Sequence, residues 1–300
     1  MKKNLKIGMT YGDPAGIGPE ILRKILRNWR YSSTPHVIGI KDHLNFKPGC
    51  PSKMTGKHSY ECLKLSAKLA NNKTIDALIT GPVSKEMINK ANIRFSGQTD
   101  ELARFCEVSS EKVIMLFVAN DLRLALFTRH LPLKDVASKI TKKSLSEFLI
   151  GLNKEFKKWF KIKNPKIAVL GFNPHAGEKG LFGREEQKII IPIISKLKKT
   201  GLKLFGPLSP DATLARAGQD FLSGKKQKYD VYVSFYHDQG LPMFKAVADL
   251  RGVNVTLGLP FLRVSVDHGT AFDIAGKNTA STQSLKSAVE FVEDVLYNAI

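Results

Sequence analysis

Short apolar runs alternate with longer amphipathic stretches along almost the whole chain. The apolar runs have the length of single strands, as in "LKIGMT", "DALITG", "KIAVLGF" and "VYVSFY". Continuously apolar strands separated by helices are typical of a sheet whose two faces are both covered. The pattern therefore predicts an α/β fold.

Local signals place several elements within this pattern. "VIMLFVA" and "LRLALFT" are separated only by Asn120 and Asp121, which predicts a β-hairpin. Thr141 is a good N-cap for a helix running to about Phe160. Further helices are predicted from about 58 to 71, 184 to 198 and 281 to 298, and one over "PEILRKILRNW". No repeat or linker is visible, so a division into two domains would require the chain to pass between them more than once.

Composition excludes several classes of protein. The chain is 300 residues long and 43% hydrophobic, enough for a full core. Its three cysteines form no CxxC pair, which argues against a thiolate zinc knuckle and a disulfide framework. The first apolar stretch is too short for a signal peptide, and no run approaches the ~20 residues that span a bilayer. We therefore expect a cytoplasmic protein without a membrane segment.

The formal net charge of +20 favours anionic ligands. The lysines are scattered through predicted helices and are not interleaved with aromatic residues, which favours a solvated surface over a nucleic-acid interface. A basic nucleic-acid-binding protein remains a remote alternative, and it predicts salt-sensitive retention on nucleic acid. We expect no nucleic-acid partner.

Three histidines follow directly after predicted strands. His130 ends "LRLALFTRH", His175 lies in "KIAVLGFNPH", and His237 follows "VYVSFY". Neutral imidazoles from separate strand ends can form an open three-histidine metal site, with Asp238 and Glu178 available to orient the rings. A single histidine of this kind is more often a hydrogen-bonded structural residue, but three at equivalent strand ends favour a metal site.

Two further segments at strand ends are ambiguous. "GDPAGIGPE" contains neither a Walker loop nor a GxGxxG dinucleotide fingerprint, so it indicates either a backbone lying close to a ligand or a tight strand-to-helix turn. Asp211, in "GPLSPD", is a candidate proton acceptor or metal neighbour. It could equally be the N-cap of the following helix.

Several longer segments together resemble one enzyme family. "MTYGDPAGIGPEI", "ALITGPVSKEMIN", "GFNPHAGEKGLFGREE", "YHDQGLPMFK" and "VNVTLGLPFLRVSVDHGTAFDIAGK" are similar, in order, to signature segments of the 4-hydroxythreonine-4-phosphate dehydrogenase family. The resemblance implies the two-lobed α/β/α architecture of the isocitrate/isopropylmalate dehydrogenase type, with the active site in the interlobe cleft. It also implies a homodimer with active sites at the interface. We expect residues 1–95 with 246–300 to form the cofactor-side lobe and 96–245 the metal and dimerisation lobe.

The resemblance implies a specific reaction. Family members oxidise 4-phosphooxy-L-threonine with NAD, and the product loses carbon dioxide to give 3-amino-2-oxopropyl phosphate, in pyridoxal 5′-phosphate biosynthesis. One divalent metal per site (zinc, magnesium or cobalt) would assist, and NADP remains an alternative cofactor. A dehydrogenase of the same fold acting on threonate or erythronate phosphate is the alternative function.

Family roles transfer to individual positions of this sequence. The metal ligands fall on His130, His175 and His237, the same histidines that follow the strands. The substrate-anion contacts fall on Thr99, Lys245, Asn254 and Arg263, with Lys245 and Asp211 as catalytic candidates. The nicotinamide cofactor candidates are His268, Gly269, Thr270 and Asp273.

The chain departs from the family at Gln98. The family usually has Gly-His-Thr-Glu where this sequence has Gly97, Gln98, Thr99 and Asp100. Glutamine can donate a hydrogen bond but carries no charge. We expect a helix to begin at Gln98, and we expect its side chain to line the substrate pocket and make a neutral hydrogen bond to an anionic group of the substrate. The departure keeps the alternative substrates open.

Overall fold

The computed structural model describes residues 4–39 and 45–298. The chain divides into two compact units, of which the first comprises Met1–Val113 with Leu250–Ile300 and the second comprises Ile114–Asp249. Each unit has a mostly parallel sheet with helices, which confirms the α/β prediction.

The first unit contains a sheet formed by β1 (Lys6–Thr10), β2 (Thr34–Ile38), β3 (Ala77–Thr80), β9 (Val253–Leu257) and β10 (Leu262–Val266). Its strand order is β2-β1-β3-β10-β9. All pairings are parallel except that of β10 with β9. The predicted strand "HVIGI" ends at Ile40, which lies outside the described residues.

The helices of the first unit are α1 (Gly18–Arg27), α2 (Lys53–Asn71), α3 (Lys85–Lys90), α4 (Gln98–Phe105) and α10 (Gln283–Glu293). A π-helical turn over Asp294–Asn298 follows α10. Leu63 and Ala67 of α2 pack with Leu102 of α4 and Leu78 of β3 in one buried cluster. α2 begins before the predicted start near residue 58 because Ser52 and Thr55 form a capping box.

The second unit contains a sheet formed by β4 (Ile114–Ala119), β5 (Leu122–Leu126), β6 (Ile167–Leu170), β7 (Leu204–Leu208) and β8 (Val231–Ser234). Its strand order is β4-β5-β8-β6-β7, in which only β4 and β5 are antiparallel. The predicted hairpin is confirmed, because Ala119 pairs with Leu122 across the two-residue loop.

The helices of the second unit are α5 (Leu133–Lys139), α6 (Lys142–Trp159), α7 (Ile191–Lys199), α8 (Pro210–Leu222) and α9 (His237–Ala248). Thr141 caps α6 as predicted, with Ser144 completing a capping box. A π-helical turn over Glu186–Ile190 precedes α7, close to the predicted start near 184. Gly240 lets α9 approach the sheet, since a Cβ there would lie 2.7 Å from Leu124 Cδ2.

The expected domain boundaries differ from those of the two units. Residues 96–113 belong to the first unit and not, as expected, to the second. The physical reason is that Phe95, Leu102 and Val113 are buried in the same cluster as α2. The second boundary lies between 249 and 250, four residues beyond the expected 245/246.

Candidate functional site

The first unit contains a buried polar patch on β9 and β10. The antiparallel register pairs Arg263 with Thr256 and Ser265 with Asn254. Residues directly opposite or two apart share a face of a sheet, so these four polar side chains lie on the same face. Buried polar side chains need hydrogen-bond partners, so the partners present on this face determine what it can bind.

Arg263 occupies the centre of this patch and is only 2% exposed. Its Nη1 donates to Thr256 Oγ1 at 2.9 Å, and its Nη2 donates to Thr80 Oγ1 at 2.7 Å and Gln98 Oε1 at 3.3 Å. Its Nε has no hydrogen-bond partner among the described residues. Three neutral oxygens therefore orient the guanidinium through Nη1 and Nη2 and leave the Nε donor unused.

No ion pair among the described residues compensates the charge of Arg263. Burial alone lowers the pKa of its guanidinium, with no contribution from a carboxylate. Arginine nevertheless stays protonated in proteins. A buried, uncompensated cation is costly unless a ligand supplies the opposite charge, so the patch is suited to an anion.

Arg123 in the second unit provides a contrast. It is also buried, at 4% exposure, and burial lowers its pKa, but Asp121 and Asp230 counteract that shift. Its Nη1 donates to the carbonyl oxygens of those same two residues at 3.3 and 3.4 Å. Two carboxylates thus partly offset the burial of Arg123, whereas none does so for Arg263 among the described residues.

Other groups beside Arg263 suit an anion as well. Oδ1 of Asn254 is buried without a partner among the described residues, and an Asn amide also offers donors. α4 begins at Gln98, and its N-cap, Gly97, has no side chain that could cap the first turn. A helix N-terminus favours negative charge. Thr99, in this first turn, is buried.

The second unit brings two of the three predicted metal ligands together. The ring centroids of His130 and His237 are 5.6 Å apart. β5 and β8 are parallel neighbours, and Thr128 donates to the carbonyl of Phe235 through its backbone at 3.1 Å and through its hydroxyl. Each histidine therefore lies two residues beyond this hydrogen-bonded pair, at the same edge of the sheet.

Asp238 orients the ring of His237. Its Oδ1 lies 2.6 Å from His237 Nδ1, so that Nε2 is the ring nitrogen available to a ligand. Two imidazoles bound to one zinc ion through nitrogens at ~2.0–2.1 Å would have centroids about 5 Å apart. The donor chemistry and separation of His130 and His237 thus fit a shared divalent ion.

His175 is held in an unusual backbone segment. Five successive residues, His175 to Lys179, have positive φ values between 38° and 78°. Left-handed conformations cost roughly 1–2 kcal/mol for each non-glycine residue, so the segment requires support. Within the described residues, no three His, Cys, Asp or Glu side chains form a group able to hold a metal ion, so this chain alone does not join His175 to the other two.

Glu186 supports this left-handed turn. It is 1% exposed, and its Oε1 accepts from the backbone amides of Phe172 and Asn173, each at 2.8 Å. Its Oε2 accepts from Asn173 Nδ2 at 2.9 Å. Gly177 is required beside it, since a Cβ there would lie 2.7 Å from Oε2. Sequence analysis missed Glu186, and its position on a helix gave no signal of a buried role.

A cavity of about 620 Å³ in the second unit is lined by His175, Asp211 and Asp238. Asp211 lies in the first turn of α8, whose N-cap is Ser209. Ser209 Oγ donates to Asp211 Oδ1, and this bond chiefly lowers the pKa of the carboxyl. Asp211 is therefore ionised at neutral pH and a weak proton acceptor.

The other catalytic candidate, Lys245, is exposed in the last turn of α9.

The cofactor candidates lie beside the glycine loop in the first unit. The Ile17 amide donates to the Thr270 carbonyl at 2.9 Å, and the Glu20 carboxylate accepts from the amides of Gly276, Asn278 and Ala280. Hydrogen bonds thus join the glycine loop and α1 to the segment that contains the cofactor candidates. The sequence did not predict this contact.

Of the cofactor candidates, His268 carries the clearest unused group. Its Nδ1 lies 3.0 Å from the Gly269 carbonyl, while its buried Nε2 has no partner among the described residues. Gly269 and Asp273 are exposed. A Cβ on Gly269 would meet nothing within 4 Å, so packing in this chain does not require glycine there.

Thr80 and Thr256 were also missed in the sequence. The signal was present in "VNVTL" and "LRVSV", where Asn254, Thr256, Arg263 and Ser265 occupy alternate positions. Polar residues at every second position place a polar face on a strand. The other residues of both strands are apolar, and the strands were therefore predicted to be buried.

Comparison with solved structures agrees with the fold and extends over the whole chain. A 4-hydroxythreonine-4-phosphate dehydrogenase structure from Salmonella typhimurium, described as putative, matches with a TM-score of 0.85 and 29% identity, covering 98% of this chain and 100% of that one. An isocitrate dehydrogenase structure from Methylococcus capsulatus matches with a TM-score of 0.51 at 13% identity, which concerns the fold alone. The chain is thus an α/β oxidoreductase, and the prediction of an enzyme is confirmed.

Sequence comparison defines the family. A family model described as "Pyridoxal phosphate biosynthetic protein PdxA" matches residues 20–292, and the chain belongs to this family. It is 40% identical to the 4-hydroxythreonine-4-phosphate dehydrogenase of Sulfurihydrogenibium sp. (strain YO3AOP1), covering 95% of this chain and 97% of that protein. It is also 36% identical to a putative D-threonate 4-phosphate dehydrogenase of Halalkalibacterium halodurans, covering 97% and 96%.

The family resemblance inferred from the sequence is therefore confirmed. Across residues 4–39 and 45–298, no helix has both the length and the hydropathy needed to cross a bilayer.

Proposed function

We propose that this protein is an NAD-dependent, divalent-metal-assisted dehydrogenase that oxidises 4-phosphooxy-L-threonine in the cytoplasm. The oxidised product would then decarboxylate to 3-amino-2-oxopropyl phosphate. The observation that carries the proposal is the buried guanidinium of Arg263, which has no carboxylate partner among the described residues. A substrate with phosphate and carboxylate groups supplies the missing charge.

Substrate binding is proposed to use Arg263 with the polar groups around it. Asn254 and Thr99 would complete the anion contacts, and the unused Nε of Arg263 is available as a donor. Lys245 is proposed, from the family resemblance, as a second positive charge that contacts the substrate. Lys245 is also a proposed catalytic residue, since an ammonium group that contacts the substrate would be able to hold or deliver a proton.

His130, His175 and His237 are the proposed ligands of the divalent ion, which would supply Lewis acidity to the reacting hydroxyl. Two features support this assignment: the 5.6 Å separation of two of the rings and the orientation of His237 by Asp238. Asp211, which is ionised at neutral pH, would add negative charge close to His175.

The nicotinamide cofactor is proposed to bind the segment that contains His268, Gly269, Thr270 and Asp273. The cofactor would accept the hydride. The unpartnered Nε2 of His268 supports this proposal, since a lone pair there can accept from a hydroxyl of the cofactor. NAD is the proposed cofactor, with NADP as the alternative.

A homodimer is also part of the proposal. Exposed apolar residues lie next to two of the proposed ligands: Leu131 and Leu133 follow His130, and Leu181 and Phe182 follow His175. Exposed apolar patches mark interaction sites. A second copy of the chain covering these residues would lie beside the histidines.

The test is a substrate panel with purified protein and NAD, followed by the absorbance of NADH. 4-Phosphooxy-L-threonine, D-threonate 4-phosphate and D-erythronate 4-phosphate would be compared, each with and without a chelator and then with NADP. We expect the first to have the highest kcat/KM and the chelator to abolish turnover. The neutral Gln98 and the 36% identical threonate-phosphate relative favour D-threonate 4-phosphate as the second candidate. Equal inactivity on all three would contradict the proposal.

A further inference from the structure

Gln98 occupies a defined place between α4 and the sheet of the first unit. Its Nε2 donates to the carbonyl of Gly81 at 3.0 Å, and its Oε1 accepts from Arg263 Nη2 at 3.3 Å. Gly81 directly follows β3, and Arg263 lies on β10. The side chain therefore links the first residue of α4 to both strands.

The two contacts fix the orientation of the amide. If oxygen and nitrogen were exchanged, the oxygen would face the Gly81 carbonyl and the NH₂ group would face a guanidinium donor. An acceptor would then face an acceptor and a donor would face a donor, so both hydrogen bonds would be lost. Only one orientation satisfies Gly81 and Arg263 together, so Oε1 is a fixed acceptor for the arginine.

We propose that Gln98 is a positioning residue that holds Arg263 through a neutral acceptor and so keeps the full guanidinium charge available for an anionic group of the substrate. This inference deepens the proposed function and rests on it for the identity of the anion. It differs from our expectation that Gln98 itself bonds the substrate.

Charge explains why the acceptor is an amide. The three oxygens that hold Arg263, from Thr80, Thr256 and Gln98, are all uncharged. A glutamate at position 98 would form an ion pair with Arg263 and compete with the substrate for it. An imidazolium at the same position could not accept a hydrogen bond at all. Glutamine gives an acceptor whose state does not change with pH.

The inference is tested with Gln98→Glu and Gln98→Met, and with Gln219→Glu as the matched control. Gln219 is exposed on α8 and has no place in the proposed site. We expect Gln98→Glu to raise KM for the phosphorylated substrate by roughly tenfold or more with a smaller change in kcat, because a carboxylate neutralises Arg263. Gln98→Met should raise KM severalfold, and Gln219→Glu should leave it within twofold.

The pH profile separates positioning from a merely structural role. The KM of Gln98→Glu, divided by that of the wild type at each pH, should fall as the pH is lowered and the new carboxyl protonates. A role confined to folding would lower the melting temperature of both Gln98 variants without this trend. A KM for Gln98→Glu within twofold of the wild type, or a ratio independent of pH, overturns the inference.

Binding of inorganic phosphate, measured by calorimetry, keeps this test separate from that of the proposed function. The wild type should bind phosphate, and Gln98→Glu should bind it roughly tenfold more weakly. If phosphate binding follows this order but no panel substrate is oxidised, the proposed function fails and the role of Gln98 stands. If the wild type does not bind phosphate, or Gln98→Glu binds it equally well, the inference fails.

Discussion

The imidazole rings of His130 and His237 lie with their centroids 5.6 Å apart at one edge of the second unit's sheet. The two residues are 107 positions apart in the sequence, and the hydrogen bonds of Thr128 to Phe235 hold their loops together. This pairing follows from strand order, since β5 and β8 are parallel neighbours. If the two histidines bind a metal ion as proposed, side chains fixed in this way would form a partly preorganised site.

Metal affinity should therefore depend on both residues and on the carboxylate that orients one of them. We predict that His130→Ala or His237→Ala lowers zinc affinity at least a hundredfold and that Asp238→Asn lowers it about 10–100-fold. Calorimetric titration of the metal-free protein measures this. His36→Ala, on the exposed part of β2, is the control and should bind zinc like the wild type. Unchanged affinity in the two histidine variants would contradict the assignment.

The left-handed turn at His175 should depend on Glu186. Glu186→Gln keeps the shape of the side chain but replaces one acceptor oxygen by a donor that faces amide donors. We predict a loss of about 1–3 kcal/mol in the free energy of unfolding of the transition that reports on the second unit. Urea titration followed by tryptophan fluorescence measures it, since Trp159 ends α6. Glu178→Gln, which changes an exposed residue of the same turn, should have no effect. Equal stability of both variants would show that the turn does not need Glu186.

Asp13, in the glycine loop, should make stability depend on pH. Its carboxylate is fully buried, accepting from the Ala15 amide at 3.0 Å and the Thr55 hydroxyl at 3.2 Å, and burial raises its pKa. The folded state then binds the proton more tightly than the unfolded state. The resulting destabilisation is absent below the unfolded pKa near 3.8 and fully present above the folded pKa.

We therefore predict that Asp13→Asn raises the melting temperature relative to the wild type, and that the difference grows as pH rises from about 4 towards neutrality. Melting curves across this pH range measure it. Asp135→Asn, in the first turn of α5, is the control and should show no such trend. A difference that is constant or shrinks with rising pH would show that the buried carboxylate carries no such penalty.

The exposed apolar residues beside the proposed ligands should mediate self-association. We predict that Leu133→Asp or Leu181→Asp, at positions 67% and 73% exposed, shifts the dimer towards monomer and lowers metal affinity as well. Light scattering after size exclusion reports the mass. Leu222→Asp, equally exposed at 68% but on α8, should remain dimeric. A wild-type protein that is monomeric at all concentrations would rule out this interface.

Much of the fold follows from the sequence because strong local signals coincide with tertiary burial. The Asn120–Asp121 hairpin and the cap at Thr141 were predicted correctly for this reason. A helix beginning at Gln98 was predicted and α4 begins there, but its packing against α2 was not predicted, because the sequence does not reveal which elements bury its apolar residues. Because of the same contact, the first unit extends to residue 113, beyond the expected boundary at residue 95.

The candidate site was predictable only in part. The histidines stood out because strand ends concentrate functional side chains. The lack of a carboxylate partner for Arg263 could not be predicted, because it depends on which acidic residues the fold brings near. Arg123, in the same chain, has two such residues nearby. The hydrogen bond between Gln98 and Arg263 joins residues 165 positions apart and depends on the register of the sheet.

Anion binding by Arg263 is tested most directly by comparing kcat/KM of Arg263→Met and the wild type on the best phosphorylated substrate. Arg123→Met serves as the matched buried control, and circular dichroism confirms that both variants are folded. We predict that Arg263→Met loses about a hundredfold or more in kcat/KM, mainly through KM, because truncating one member of a buried charge pair costs several kcal/mol. Arg123→Met should lose thermal stability but keep its KM. An Arg263→Met enzyme that is folded and retains the wild-type KM would contradict the assignment of Arg263 to the substrate anion.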